Sequence, residues 1–177
     1  MTDAGENSTR CTIHDAIASD PGIHFNALVR DCSLAPGQVQ YHVRRLIRDG
    51  SVTRHERFGR THYFAPATAY EEWERDAMAL LRRETTGAIV TALYARERAR
   101  PGDLVEALEI PRSTLEHHLD HLLECDLIER HHPRGNRVVL SLSRPAETAA
   151  LLETVDPHPG SRLVDRFERL VDSLLDS

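Results

Sequence analysis

One short stretch of the chain gathers side chains that can read nucleic acid: Gln38, Gln40, Tyr41, Arg44, Arg45 and Arg48, with no acid among them between residues 36 and 48. A glutamine amide can pair with adenine and an arginine fork with guanine in a major groove, and either can hold a phosphate. Arg54, Arg57 and Arg60 follow closely. Two runs rich in strand formers, Ser51 to Arg57 and Thr61 to Phe64, meet through Phe58-Gly59-Arg60 and predict a hairpin whose arginines grip phosphates or the minor groove. Gln38, Gln40, Tyr41, Arg44 and Arg45 are expected at bases or adjacent phosphates. Arg48, near the end of its segment, is expected at the backbone.

These groups need a scaffold, and the intervening residues predict one. Val39, Val43, Leu46 and Ile47 recur at helical spacing and form one apolar stripe. Pro36 suits a first helical turn, where its missing N–H has no intrahelical partner. Gly50 suits the stop, being free to take positive φ. The stretch Leu34 to Arg54 therefore predicts a helix, apolar behind and cationic in front, running into the first strand of the hairpin. A solvated basic face on an ordinary helix is the plain alternative.

The composition bounds the rest. A chain of 177 residues can bury two small cores or one of medium size. All 22 basic residues are arginine, against 28 acids, for a net charge of −6. That balance excludes a generic basic nucleic-acid coat. An acidic, lysine-free chain fits adaptation to a salt-rich cytoplasm, and equally the codon bias of a GC-rich genome. At molar salt the Debye length is about 3 Å, so recognition would rest on close contacts rather than long-range attraction. No apolar run reaches the roughly 18 residues of a membrane span, and no signal peptide is recognised, so a cytoplasmic protein is expected. Cys11, Cys32 and Cys125 are scattered and odd in number, which predicts reduced core thiols rather than a disulfide framework.

Displaced by 76 residues, the chain repeats its own apolar skeleton without a gap. Ile13 falls on Ile89, Ile17 on Leu93, Leu28 on Leu104, Val39 on Leu115, His42 on His118, Val43 on Leu119, Leu46 on Leu122 and Gly59 on Gly135. Helices, turn and hairpin in one register predict two copies of one domain. Each copy reads as helix, helix, helix and hairpin, the order of a winged helix-turn-helix with the third helix as reader. The expected fold is mainly α with small β-hairpin wings (α+β). Residues 1–8 are expected to be disordered, 9–66 to form the first domain and 67–84 a linker helix. Residues 85–143 are expected to form the second domain and 144–177 C-terminal helices. Thr68 and Glu71 suggest a capping box for the linker, with Trp73, Ala77, Leu80 and Leu81 as its apolar stripe.

The segment GIHFNALVRDCSLAPGQVQYHVRRLIRDGSVTRHERFGRTHYF resembles the winged-helix domains of archaeal regulators related to the ArsR and MarR families. The resemblance covers residues 10–65 well and 86–142 more loosely, and VQYHVRRL with its following Gly and basic wing is its most specific part. It implies sequence-specific, usually dimeric, transcriptional regulation on double-stranded DNA.

The two readers differ in sign. Residues 36–48 hold three Arg and no acid, whereas residues 112–124 hold Arg112 against Glu116, Asp120 and Glu124, so +3 becomes −2. A carboxylate stripe is repelled by phosphates, so the second domain is expected to bind protein or to shape a dimer, with a DNA-backbone contact left open to wing residues Arg130, Arg134 and Arg137. Leu163, Phe167, Leu170 and Leu174 stripe a terminal helix capped by Ser161, which is expected either to pack on its own domain or to form a homodimer seam. His117 and His121 stand one turn apart, but the further ligands a metal site needs are missing, so no metal and no cofactor is expected. The Cys-containing reader motif of metal-sensing relatives is also absent. No phosphate loop, GxSxG elbow or HExxH is present, so no enzyme is expected. Two alternatives stand beside the DNA-reading regulator: an adaptor docking on the transcription machinery, and an effector- or metal-gated sensor.

Overall fold

The computed structural model describes residues 3–66, 69–133 and 137–155. The chain divides between Arg75 and Asp76 into two compact units.

In the first unit α1 (Asp3–Ser19), α2 (Phe25–Cys32) and α3 (Pro36–Arg48) enclose a core with a small sheet. Strand β1 (Ile23–His24) and the hairpin β2 (Thr53–Arg57) and β3 (Arg60–Phe64) pair antiparallel in the order β1-β3-β2. Ile13, Ile17, Leu28 and Val39 are fully buried, and Val43, Leu46 and Val52 nearly so. Ala16, Val29, Leu34 and Ile47 pack at the edges of this core. The repeated apolar positions of α1 and α2 and the predicted stripe of α3 are therefore the ones that pack.

Local chemistry places the joints. His24 caps α2, its Nδ1 accepting the Ala27 N–H at 3.0 Å. Ser33 turns left-handed at φ 52° and lets the chain reverse into α3. His62 is buried and donates from Nδ1 to the Gly22 carbonyl at 2.8 Å, which ties the hairpin to the turn after α1. Phe58 and Gly59 both have positive φ, 48° and 72°, and close the wing as a two-residue turn with Arg57 opposite Arg60. Such a turn matches the right-handed twist of the flanking strands.

The second unit repeats this plan with α5 (Glu84–Arg96), β4 (Arg98–Ala99), α6 (Pro101–Leu108), α7 (Arg112–Glu124), β5 (Ile128–His131) and β6 (Val139–Leu142). Its sheet order is β4-β6-β5. Ile89, Leu93, Leu104, Leu115, Leu119 and Leu122 are fully buried, each at a position 76 residues after a buried counterpart. Backbone special points repeat as well, since Glu109 and Asp126 take φ 52° where Ser33 and Gly50 are left-handed.

Four expectations need correction. The first helix starts at Asp3 rather than near Thr9, so residues 3–8 are helical rather than disordered. Hydroxyl bonds from Thr9 and Thr12 to the Gly5 and Ser8 carbonyls, at 3.0 and 3.1 Å, fasten the added turns, as does an Arg10–Asn7 contact of 2.6 Å. The linker helix α4 spans only Glu72–Leu81, because the Glu74 carboxylate accepts the Glu71 N–H at 2.8 Å and starts the helix there. Thr68 lies outside the described residues. From Asp76 to Leu81 this helix is buried on every side, so it is core of the second unit rather than a one-faced linker.

The repeat also slips by one residue in the second wing. Arg54 pairs with Tyr63, whereas Arg130 pairs with Leu140, because a two-residue turn is replaced by the longer stretch between His131 and Val139. Gly135 lies outside the described residues. Finally, only Cys125 is a buried thiol: Cys11 is exposed on the polar face of α1 and Cys32 is partly buried. Helix α8 (Pro145–Val155) follows, within the stretch expected to hold C-terminal helices. The stripe of Leu163, Phe167, Leu170 and Leu174 lies outside the described residues.

Truncating Leu28, fully buried between α1 and α3, is expected to cost about 2–5 kcal/mol as Leu28→Ala. Urea unfolding followed by circular dichroism measures it.

Candidate nucleic-acid interface

Helix α3 packs Val39, His42, Val43 and Leu46 inward, and the 3.6-residue period then fixes what remains outside. Arg44 and Arg48 point directly away from the core, with Gln40 on one flank. All three are exposed. Among the described residues none of the three makes a hydrogen bond or an ion pair, which leaves their donors available to a ligand. Gln38, Tyr41 and Arg45 occupy the other flank, beside the start of α1, and are already engaged. Gln38 Oε1 accepts the Ala35 N–H at 3.4 Å and helps cap the helix. Arg45 donates to the Tyr41 hydroxyl at 2.9 Å, with its guanidinium 5.6 Å from the ring centroid. Glu6 of α1 completes the group, 3.7 Å from Arg45.

The wing arginines also separate into two sets. Alternation along β2 puts Arg54 and Glu56 on one exposed face, where they form an ion pair. Arg57 lies on the other face, its guanidinium 4.9 Å from the Phe58 ring centroid. Arg60 is its cross-strand neighbour, exposed. Like charges directly opposite each other are unfavourable alone and become favourable around an anion. A shallow cleft lined by His24, Phe25, Asn26, Arg60 and Thr61 joins this tip to the start of α2. Asn26 and Thr61 were not singled out from the sequence; Asn26 has a positional signal, since the first turn of a helix offers unpaired N–H groups, whereas Thr61 on β3 has none.

The second reader has a different surface. Glu116 is held by Arg130 of the wing at 3.0 Å and by Arg112 at 3.8 Å. The wing cation is thus neutralised within the domain. His131 bonds Ser141 at 2.8 Å, Arg137 is exposed, and Arg134 lies outside the described residues. On the flank matching Tyr41 and Arg45 stand His117 and His121, with ring centroids 4.6 Å apart. His118 meets the buried Thr86 hydroxyl at 3.1 Å. Among the described residues no three His, Cys, Asp or Glu side chains converge as a metal ion requires.

Comparison with known families bears on this architecture. A family model described as an N-terminal HTH domain matches residues 7–78. A second, described as the bacterial regulatory protein arsR family, matches residues 88–130. The chain is a tandem helix-turn-helix protein. The two matched segments run from α1 into α4 and from α5 into β5, and so contain both readers. They support a DNA-binding regulator in general terms. No curated protein matches the chain. Among the described residues no helix is long and apolar enough to cross a membrane.

The histidines on α7 give this tandem helix-turn-helix protein a pH dependence whose sign follows from their surroundings. Burial pushes His118 below its ordinary value, helped by His117, His121 and Arg83. Burial likewise lowers His121, with His117 and Arg83 adding to it and Glu124 and Asp120 opposing. The unfolded chain therefore takes up more protons than the folded one as the pH falls through the ordinary value of 6.5. Stability from these groups is complete above that pH and declines below it. The urea midpoint of the second unit is expected to fall between pH 7.5 and 5.5, and to fall less in His118→Gln.

Proposed function

We propose that the protein is a sequence-specific transcriptional regulator that reads double-stranded DNA through α3 and the wing of its first domain. The observation that carries this reading is the outer face of α3, where Gln40, Arg44 and Arg48 are exposed, acid-free and unpaired among the described residues. A helix backed by a packed core is rigid enough to enter a major groove as a unit. Gln40 and Arg44 then meet base edges, and Arg48, a turn further on, meets the backbone. Gln38 and Tyr41 contact bases or phosphates from the α1 side. Arg57 and Arg60 clamp a phosphate between them at the wing tip, and Arg54 contributes after parting from Glu56.

The second domain takes a different role in this reading. Its reader carries Glu116, Asp120 and Glu124 outward, and its wing cation Arg130 is already paired with Glu116. It is a protein-facing surface, for a second copy or for the transcription machinery. A homodimer closed through Leu163, Phe167, Leu170 and Leu174 would match two half-sites of a two-fold operator. The adaptor alternative draws support only from this second domain, since the first has the free cationic face that an adaptor does not need.

Arg44→Ala is expected to leave stability within about 0.5 kcal/mol, because the side chain is exposed and unpaired among the described residues. It is expected to cost about 1–3 kcal/mol of binding to the preferred duplex and to relax specificity at one position. Titration against a set of singly substituted duplexes checks both. An equal loss on all sequences would make Arg44 a phosphate clamp instead.

A further inference from the structure

Helix α1 is longer at its start than its counterpart in the second domain. Helix α5 begins at Glu84, which corresponds to Ser8 in the repeat; the positions matching residues 3–7 fall at the end of α4 and in the turn at Arg82 and Arg83, so this start of α1 has no counterpart in α5. This extra turn carries Glu6, and Glu6 reaches the reader helix at Arg45. The position equivalent to Glu6 is Arg82, in the turn before α5, and those equivalent to Tyr41 and Arg45 are His117 and His121. With Arg82 in place of Glu6, the second domain does not repeat this carboxylate at the equivalent position.

A carboxylate beside a DNA-reading face is costly for affinity, since it repels phosphates and occupies a cation that could bind one. Its placement also limits that cation. Arg45 is held from two sides, by the Tyr41 hydroxyl along α3 and by Glu6 across from it. A guanidinium on a free stem would swing to any nearby phosphate, whatever the sequence. Held in this way, it stays on the flank, and discrimination is left to Gln40 and Arg44.

We propose that Glu6 is a specificity-determining residue, which restrains Arg45 and so suppresses sequence-independent binding. The inference rests on the reading of α3 as the DNA-contacting helix. Releasing Arg45 adds one phosphate contact on random duplex. Each such contact steepens the dependence of log affinity on log salt by about 0.9.

The test is binding of the full chain to a random-sequence duplex over a range of salt, for wild type, Glu6→Gln, Arg45→Gln and the double variant. Glu6 is exposed, so the charge can be removed without disturbing the core, and thermal unfolding verifies this. Glu6→Gln is expected to bind random duplex roughly two- to fivefold more tightly, the size of an exposed ion pair, with the steeper salt slope. The double variant is expected to gain nothing over Arg45→Gln. Unchanged affinity and slope in Glu6→Gln would overturn the proposal. So would a gain that persists without Arg45, because Glu6 would then act by simple repulsion. An Arg44→Ala control separates the two claims. If it binds every duplex as wild type does, the reading of α3 itself fails; if it loses its preferred duplex while Glu6→Gln changes nothing, only the role of Glu6 fails.

Discussion

Everything proposed for the first domain depends on one packing constraint, the burial of Val39, Val43 and Leu46 against Ile13, Ile17 and Leu28. A helix of 13 residues is marginal in isolation and owes its stability to such a face. Once that face is committed, the helical period leaves no choice about the other. Arg44 and Arg48 must point away from the core, and Gln38 and Arg45 must stand beside α1. The same burial decides what is displayed and what is restrained.

The second domain shows how far this constraint can be reused. Leu115, Leu119 and Leu122 repeat the packed face of α3 at the same spacing, and the sheet has the same strand order. The outer face is free to vary, because exposed positions contribute little to stability. It has become acidic, and Glu116 has taken up the cations of Arg112 and Arg130. Fold and surface chemistry are therefore nearly independent in this chain. Under the proposed function, two readers with one backbone serve DNA and protein.

Much of this is legible in the sequence, and the reason is periodicity. The 76-residue repeat and the inward residues of α3 follow from apolar positions, Pro36 and Gly50 bound α3, and the sign change between readers follows from the charged residues left on the outer faces. What escapes depends on polar contacts that carry no period. Residues 3–8 look like a solvated tail, because the bonds that make them helical run from Thr9 and Thr12 to backbone carbonyls. The division of the candidate site is equally hidden. Arg44 and Arg45 are neighbours of one type in the sequence, yet Arg45 meets Tyr41 and Glu6, across a separation of 39 residues, while Arg44 is unpaired among the described residues. The burial of α4 on all sides from Asp76 to Leu81 is also missed, since a stripe of four apolar residues gives no sign that Asp76 and Met78 are enclosed as well.

The most direct test of this account is selection from a randomised duplex library by three forms of the full chain. One is wild type, one has Gln40, Arg44 and Arg48 replaced by Ala, and one has Glu116, Asp120 and Glu124 replaced by Ala. The account predicts a single enriched motif for wild type, lost with the α3 variant and kept with the α7 variant. A motif that survives the α3 changes, or disappears only with the α7 changes, would contradict it.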